Sequence, residues 1–224
     1  MSIVIAVDGT AASGKGTLAK KLAAHFGFAH LDSGSLYRLV ALGVAEAKGD
    51  PAKEDDALAA AKALNPSRSN DPAIRTAGIG TAASIVSAFP SVRAALLAFQ
   101  RGFAAQSPGA VIDGRDIGTV VCPDAIAKLF VDARPEIRAH RRWLELSAAG
   151  CAPPAGAVPP ESAILADILA RDARDRTRAV APLTPAPDAA LLDTSDLDID
   201  AAFAAALALV QPGVENALKA LAKG

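Results

Sequence analysis

Ten residues near the start of the chain, Asp8-Gly9-Thr10-Ala11-Ala12-Ser13-Gly14-Lys15-Gly16-Thr17, carry the parts needed to hold a polyphosphate. Gly9 and Gly14 permit tight turns and close backbone approach, so successive N–H groups point into one concavity. Lys15 adds a point charge for the outer phosphates, and the hydroxyl of Thr17 or Ser13 suits a magnesium ion held with them. The loop follows the apolar run Ile3-Val4-Ile5-Ala6-Val7 and opens onto a helical pattern from Leu18 to Phe26. The N-terminal end of that helix also favours anions. Gly16 stands where the general motif has Ser or Thr directly after the lysine, and Thr17 comes next.

A second set of charged residues bears on what else the chain binds. Asp113 ends an apolar run, the place where a phosphate-loop enzyme keeps the carboxylate that holds magnesium directly or through water, although a lone Asp there also serves as a cap or turn residue. Here Asp113-Gly114-Arg115-Asp116 compresses a metal-type carboxylate, a turn glycine, an anion-binding arginine and a second carboxylate into one string. Arg134, Arg138, Arg141, Arg142, Arg171, Arg174, Arg176 and Arg178 crowd the later part of the chain, while Arg38 and Arg93 stand near the other elements. Guanidinium forks pair with phosphate oxygens at two points, and a kinase must neutralise two phosphorylated substrates and a transferring group. Spacings of three and four place Arg171, Arg174, Asp175 and Arg178 on one helical face. That face is either a ligand contact or a solvated surface held by local pairs such as Arg171 with Asp175.

These residues need a frame. Five short apolar runs read as buried strands, Ile3–Val7, Ala29–Leu31, Ala110–Ile112, Lys128–Val131 and Ala190–Leu192, with helical patterns between them. The expectation is an α/β fold, a five-stranded parallel sheet with helices on both faces, binding ligands beyond the carboxyl ends of its strands. One domain of 224 residues follows, with a core at 1–46, 107–134 and 179–210. An insertion at 47–106 carries helical patterns at Glu54–Leu64, Thr76–Phe89 and Val92–Phe103, and a polar loop from Pro66 to Pro72. At 135–178, helices Pro135–Ala149 and Glu161–Thr177 flank a Pro/Gly/Ala linker from Gly150 to Pro160 and form a mobile lid. After Val210, Pro212-Gly213 begins a weak, peripheral last helix.

A net charge of −1 gives no global field towards nucleic acid or anionic membrane, so any anion site is local. Cys122 and Cys151 lie in unrelated segments and suggest neither disulfide nor zinc. With no leader pattern and no apolar run near membrane-spanning length, the expectation is a cytoplasmic protein, and the absence of an exposed apolar stripe favours a monomer.

The strings Asp8 to Thr17, Leu31-Asp32-Ser33-Gly34-Ser35-Leu36-Tyr37-Arg38, Ala82-Ala83-Ser84, Phe89-Pro90-Ser91-Val92-Arg93, Asp113 to Val121 with Pro123-Asp124-Ala125, and Arg171 to Leu183 resemble bacterial cytidylate kinase. That is a nucleoside monophosphate kinase family, in which Gly-Lys-Gly-Thr is the usual form of the loop. The resemblance covers most of the chain. It implies a P-loop fold with a helical monophosphate-binding insertion and lid, and transfer of the γ-phosphoryl of ATP, with Mg²⁺, to CMP or dCMP. By the same resemblance, the loop from Gly9 to Thr17 meets ATP. Ser33, Arg93, Asp116 and Arg178 line the pyrimidine pocket, Ser84, Arg171 and Asp175 meet the pentose, and Arg38 and Arg115 the monophosphate. Lys15, Arg115 and Arg178 are the expected catalytic residues, and Thr17 and Asp113 the metal-site residues. Two departures stand out: the family has proline at Thr10 and glycine at Ala12, from which little loss is expected. The segment between Leu64 and Arg75 also has no room for the small sheet of longer members.

Overall fold

The computed structural model describes residues 2–147 and 158–222; Cys151 and most of the expected linker lie outside the described residues. Strands β1 (Ile3–Gly9), β2 (Ala29–Asp32), β3 (Gly109–Gly114), β4 (Ala127–Asp132) and β5 (Ala190–Asp193) form one sheet in the order β2-β3-β1-β4-β5. Every pairing is parallel. Each expected apolar run lies within a strand, and each strand reaches farther at its carboxyl end, to take in Asp8, Asp32, Asp113, Asp132 or Asp193. That row of aspartates marks the edge where a parallel sheet gathers ligands.

Helices cover both faces. Against one, α1 (Lys15–Phe26) and α8 (Ile199–Leu221) bury Leu18, Leu22, Ala206 and Val210 over Ile5, Val7 and Leu129. Against the other, α2 (Ser33–Glu46), α3 (Glu54–Lys62) and α5 (Pro90–Ala104) bury Leu36, Val40, Val92 and Leu96 over Ala6 and Ile112. The Asp32 carboxylate caps α2, accepting from the Ser35 N–H at 3.2 Å. Between α2 and β3 lie only α3, α4 (Ala77–Val86), α5 and two 3₁₀ turns, Pro66–Asn70 and Pro72–Arg75, where a plain loop was expected. Asn65 and Asp71 start those turns through their side chains. Helices α6 (Pro135–Ser147) and α7 (Glu161–Thr177) pack together around Ala139, Ile164 and Ile168.

The carboxyl-terminal segment departs from expectation. Instead of a weak helix after Val210, α8 runs unbroken through Pro212. Ala202, Ala206, Val210 and Val214, spaced by four, keep one buried stripe facing the sheet across the proline. Tertiary packing thus offsets the lost hydrogen bond. With 23 residues and a mean hydropathy of 1.3 over an 18-residue stretch, α8 is long and apolar enough to cross a membrane, contrary to the expectation that no run approaches that length.

Candidate active site

The loop between β1 and α1 takes its shape from three positions. At Gly9, φ is 152°, and a Cβ would sit 2.0 Å from the carbonyl oxygen of Val131 on β4. Gly9 therefore serves the packing of strand against strand, a role that the sequence reading did not include. Gly14, at φ 87°, is the N-cap of α1 and starts the helix ahead of the apolar pattern that begins at Leu18. Ala12, at φ 58°, holds a left-handed conformation that costs a residue with a Cβ about 1–2 kcal/mol. The family's glycine is thus replaced at a position whose backbone favours glycine. Thr10, in place of proline, donates its hydroxyl to Asp132 at 2.6 Å.

Beneath the loop, the Thr10 carbonyl accepts from Ser13 Oγ at 3.1 Å and from Lys15 Nζ at 3.0 Å. Ser13 is fully buried in this role, which leaves Thr17, exposed on the cavity, as the hydroxyl available to a metal. Burial, and next the guanidinium of Arg115, push the Lys15 ammonium from 10.5 down to about 7. An anion beside it would restore the charge.

The loop forms one wall of a cavity of about 290 Å³. Ala11, Ala12, Gly14, Lys15, Gly16 and Thr17 line it on the donor side. Ser33, Arg38, Arg93, Asp113, Arg115, Asp116, Arg171, Asp175 and Arg178 line it opposite. Of the expected site residues, Gly9, Thr10 and Ser13 support the loop from beneath. Ser84 is buried beside the wall, its hydroxyl accepting from Arg174 Nε at 3.3 Å.

The acceptor wall is a network of paired charges. Asp116 is held by Arg93 and stands 3.6 Å from Arg178 Nη2. Arg93 also lies over the Tyr37 ring, 5.6 Å from its centre. Arg115 Nε donates to Asp175 Oδ2 at 2.9 Å, so Asp175 of α7 pairs with a residue distant in sequence rather than locally with Arg171. The neighbouring guanidiniums of Arg115 and Arg171 outweigh burial and hold the Asp175 carboxyl below the usual range. Ser33 Oγ donates to the Asp113 carbonyl at 2.7 Å, and Arg38 Nη1 to that of Ile74 at 2.8 Å. On this wall, two buried donors among the described residues have no hydrogen-bond acceptor, Arg171 Nε and Arg178 Nη2. Burial and the proximity of Arg115 lower Arg171 to about 10. Uncompensated donors in a cationic wall call for an acceptor-rich ligand.

The arginine crowd resolves into separate tasks. Arg178 faces this cavity; Arg171 lines it and, with Arg142 and Arg174, also an adjoining one of about 310 Å³ between α4 and the α6–α7 pair. Arg134 pairs with Asp196, and Arg141 donates to Thr194 Oγ1 and to the carbonyls of Thr194 and Leu197. Arg138 is buried, binding Asp172 at 2.7 Å and the Ala133 and Ala11 carbonyls. It thereby ties α7 to the phosphate loop. Asp172 escaped the sequence reading because it falls off the face shared by Arg171, Arg174 and Asp175.

His30 was also missed. Its Nε2 lies 2.8 Å from Asp113 Oδ1. Strand alternation offered the signal: His30 and Asp32 share a face of β2, and Asp32 is in register with Asp113. For magnesium, Asp113 and Thr17 lie at the loop's helix end, and a Cβ on Gly16 would stand 3.6 Å from Asp113 Oδ2. No cluster of three ligating side chains occurs among the described residues. That donor set fits an ion that takes most of its ligands from phosphate and water, as Mg²⁺ does beside a nucleotide.

Comparison with known proteins agrees with this arrangement. The family model for cytidylate kinase matches residues 5–212. A cytidylate kinase from Rhodopseudomonas palustris (strain TIE-1) is 56% identical over 209 residues, covering 93% of this chain and 96% of that protein. One from Bradyrhizobium sp. (strain ORS 278) is 57% identical with the same coverage. An uncharacterized protein from Eubacterium ventriosum ATCC 27560 shares the fold, with a TM-score of 0.54 at 16% identity over 94% of this chain and 99% of its own. A phosphate loop facing an arginine–aspartate pocket, with a family match along almost the whole chain, places this protein in the cytidylate kinase family.

Proposed function

We propose that this protein transfers the γ-phosphoryl group of ATP to CMP or dCMP, yielding CDP or dCDP and ADP. The observation that carries the proposal is one cavity with two walls: the phosphate loop with Lys15 on one side, and Arg115, Asp116, Arg171 and Arg178 on the other, with Arg171 Nε and Arg178 Nη2 still open to a hydrogen-bond acceptor. A single-substrate nucleotidase has no use for the second wall.

On this reading the loop and Lys15 hold the ATP phosphates, and Arg38 and Arg115 take the acceptor phosphate. Ser84, Arg171 and Asp175 meet the pentose; Ser33, Arg93, Asp116 and Arg178 meet the base. Asp116 accepts from the cytosine amino group, whereas uracil would set a carbonyl oxygen against the same carboxylate. A buried mismatch of that kind costs about 1–3 kcal/mol. The acceptor phosphate is already anionic at neutral pH, so no general base is needed. Lys15, Arg115 and Arg178 align the reactants and neutralise charge as it moves to the leaving oxygens. Thr17 and Asp113 would hold Mg²⁺, directly or through water, which supplies further neutralisation across the phosphates.

Residues 47–106 act as the acceptor-binding insertion and 135–178 as a lid, closing to exclude water that would hydrolyse ATP. The protein works as a cytoplasmic monomer, with the apolar stripe of α8 used inside the fold. An ADP-release assay across CMP, dCMP, UMP, AMP and shikimate tests the assignment. Turnover with CMP and dCMP well above the others is expected; turnover with none of them, or preference for another acceptor, overturns it.

A further inference from the structure

The string Asp113 to Asp116 is followed by a single π-helical turn, Ile117–Val121, which sets where Arg115 and Asp116 stand. Asp116, at φ −148° and ψ 26°, is the hinge between strand and turn. The turn is held at both ends by charged side chains from elsewhere. On its carbonyl side, Arg101 of α5 donates to Val120 and Val121 at 3.1 Å each. On its amide side, the N–H groups of Ile117 and Gly118 both donate to one buried carboxylate, that of Asp8, at 2.8 Å each.

Asp8 belongs to the donor half of the molecule. It precedes Gly9, pairs with Gly114 on one side of β1 and with Phe130 on the other, and is followed by a residue with no room for a side chain against Val131. The carboxylate is therefore buried on a strand paired on both sides, and charge-assisted bonds to backbone amides are roughly twice as strong as neutral ones. We propose that Asp8 is a positioning residue for acceptor recognition: from the root of the phosphate loop, its carboxylate fixes the turn that presents Arg115 and Asp116 to the monophosphate and base. This rests on the CMP kinase reading above. It makes base discrimination depend on a residue that touches no substrate.

Two variants separate positioning from plain stability. Asp8→Asn turns one acceptor into a donor facing an N–H. Gly118→Ala leaves the carboxylate intact but puts a methyl 3.4 Å from Asp8 Oδ2 and 3.2 Å from Lys128 Cδ, crowding the seam between the turn and Asp8. Val214→Ala, a truncation in the buried stripe of α8, serves as a control for lost stability alone. Each is assayed for ADP release with CMP and with UMP, beside its melting temperature. For Asp8→Asn, kcat/KM for CMP should fall by about tenfold or more and the CMP-to-UMP preference by about fivefold, with KM for ATP changed by less than about threefold. Gly118→Ala should move the preference in the same direction by a smaller factor, and Val214→Ala should leave it unchanged. A wild-type preference retained by either folded turn variant, or an equal loss of preference in the Val214 control, overturns the proposal. If Asp8→Asn does not fold, the Gly118→Ala result decides. Failure of the wild-type protein to phosphorylate CMP instead overturns the functional reading on which the proposal stands.

Discussion

Replacing Lys15 with methionine should stabilise the ligand-free protein while abolishing phosphoryl transfer. A lysine whose ammonium titrates near 10.5 in the open chain is held at about 7 in the fold, chiefly by burial and then by Arg115. At 1.36 kcal/mol per tenfold change in proton affinity, that opposes folding by about 5 kcal/mol below pH 7. Methionine removes the penalty and keeps the volume, but loses the hydrogen bond to the Thr10 carbonyl, worth about 1 kcal/mol. The carbonyl still accepts from Ser13, so no orphan is left. A net gain of about 2 kcal/mol or more corresponds to a rise of about 4–8 °C in melting temperature for a chain of this size. The sign with pH is specific. Between pH 7 and 10.5 the unfolded state binds more protons at Lys15 than the folded one, so wild-type stability recovers as pH rises. The variant's advantage should thus be full at pH 6.5 and shrink towards zero near pH 10. Urea unfolding of both ligand-free proteins at pH 6.5 and 9.5 provides the measurement. No gain at pH 6.5, or the same gain at both values, would refute the reasoning.

Binding of ATP should draw a proton onto Lys15 at pH 8, where the ligand-free side chain is mostly neutral. Calorimetry in buffers of different ionisation enthalpy should show uptake approaching one proton, with affinity weaker than at pH 7 by about fivefold; zero uptake would contradict it. Asp116→Ala should lower kcat/KM for CMP by about tenfold or more and that for UMP much less, and equal losses in the ADP-release assay would remove Asp116 from base recognition. Gly9→Ala should cost about 3 kcal/mol or more in urea unfolding, because a Cβ 2.0 Å from the Val131 oxygen requires the strands to part. A change below about 1 kcal/mol would show that β1 and β4 can separate freely.

The sheet was legible because parallel strands buried on both faces leave near-continuous apolar runs, as in Ile3–Val7, and polar residues accumulate where those runs stop. The donor loop was legible because its chemistry is local. Partnerships across the fold were not. Nothing in the sequence says that Arg138 is buried against Asp172 while Arg134 reaches Asp196, since arginines serve ligand and scaffold with the same side chain. The length of α8 escaped because proline is read as a stop, whereas a stripe of small apolar residues can carry a helix past one. That Gly9 also makes room for Val131, distant in sequence, could not be read from the loop motif.

The pairing of Arg115 with Asp175 within one wall has a further effect on a protein with net charge −1 that must admit two polyanions. The acceptor wall carries its own counter-ions. On the proposed reading, an arriving monophosphate exchanges places with a carboxylate at Arg115, and the displaced Asp175 becomes free to accept from the pentose hydroxyls. Entry is then an ion exchange inside the protein rather than neutralisation of a bare cationic pit. Because few mobile salt ions need be released, acceptor affinity should vary less with ionic strength than the number of arginines suggests.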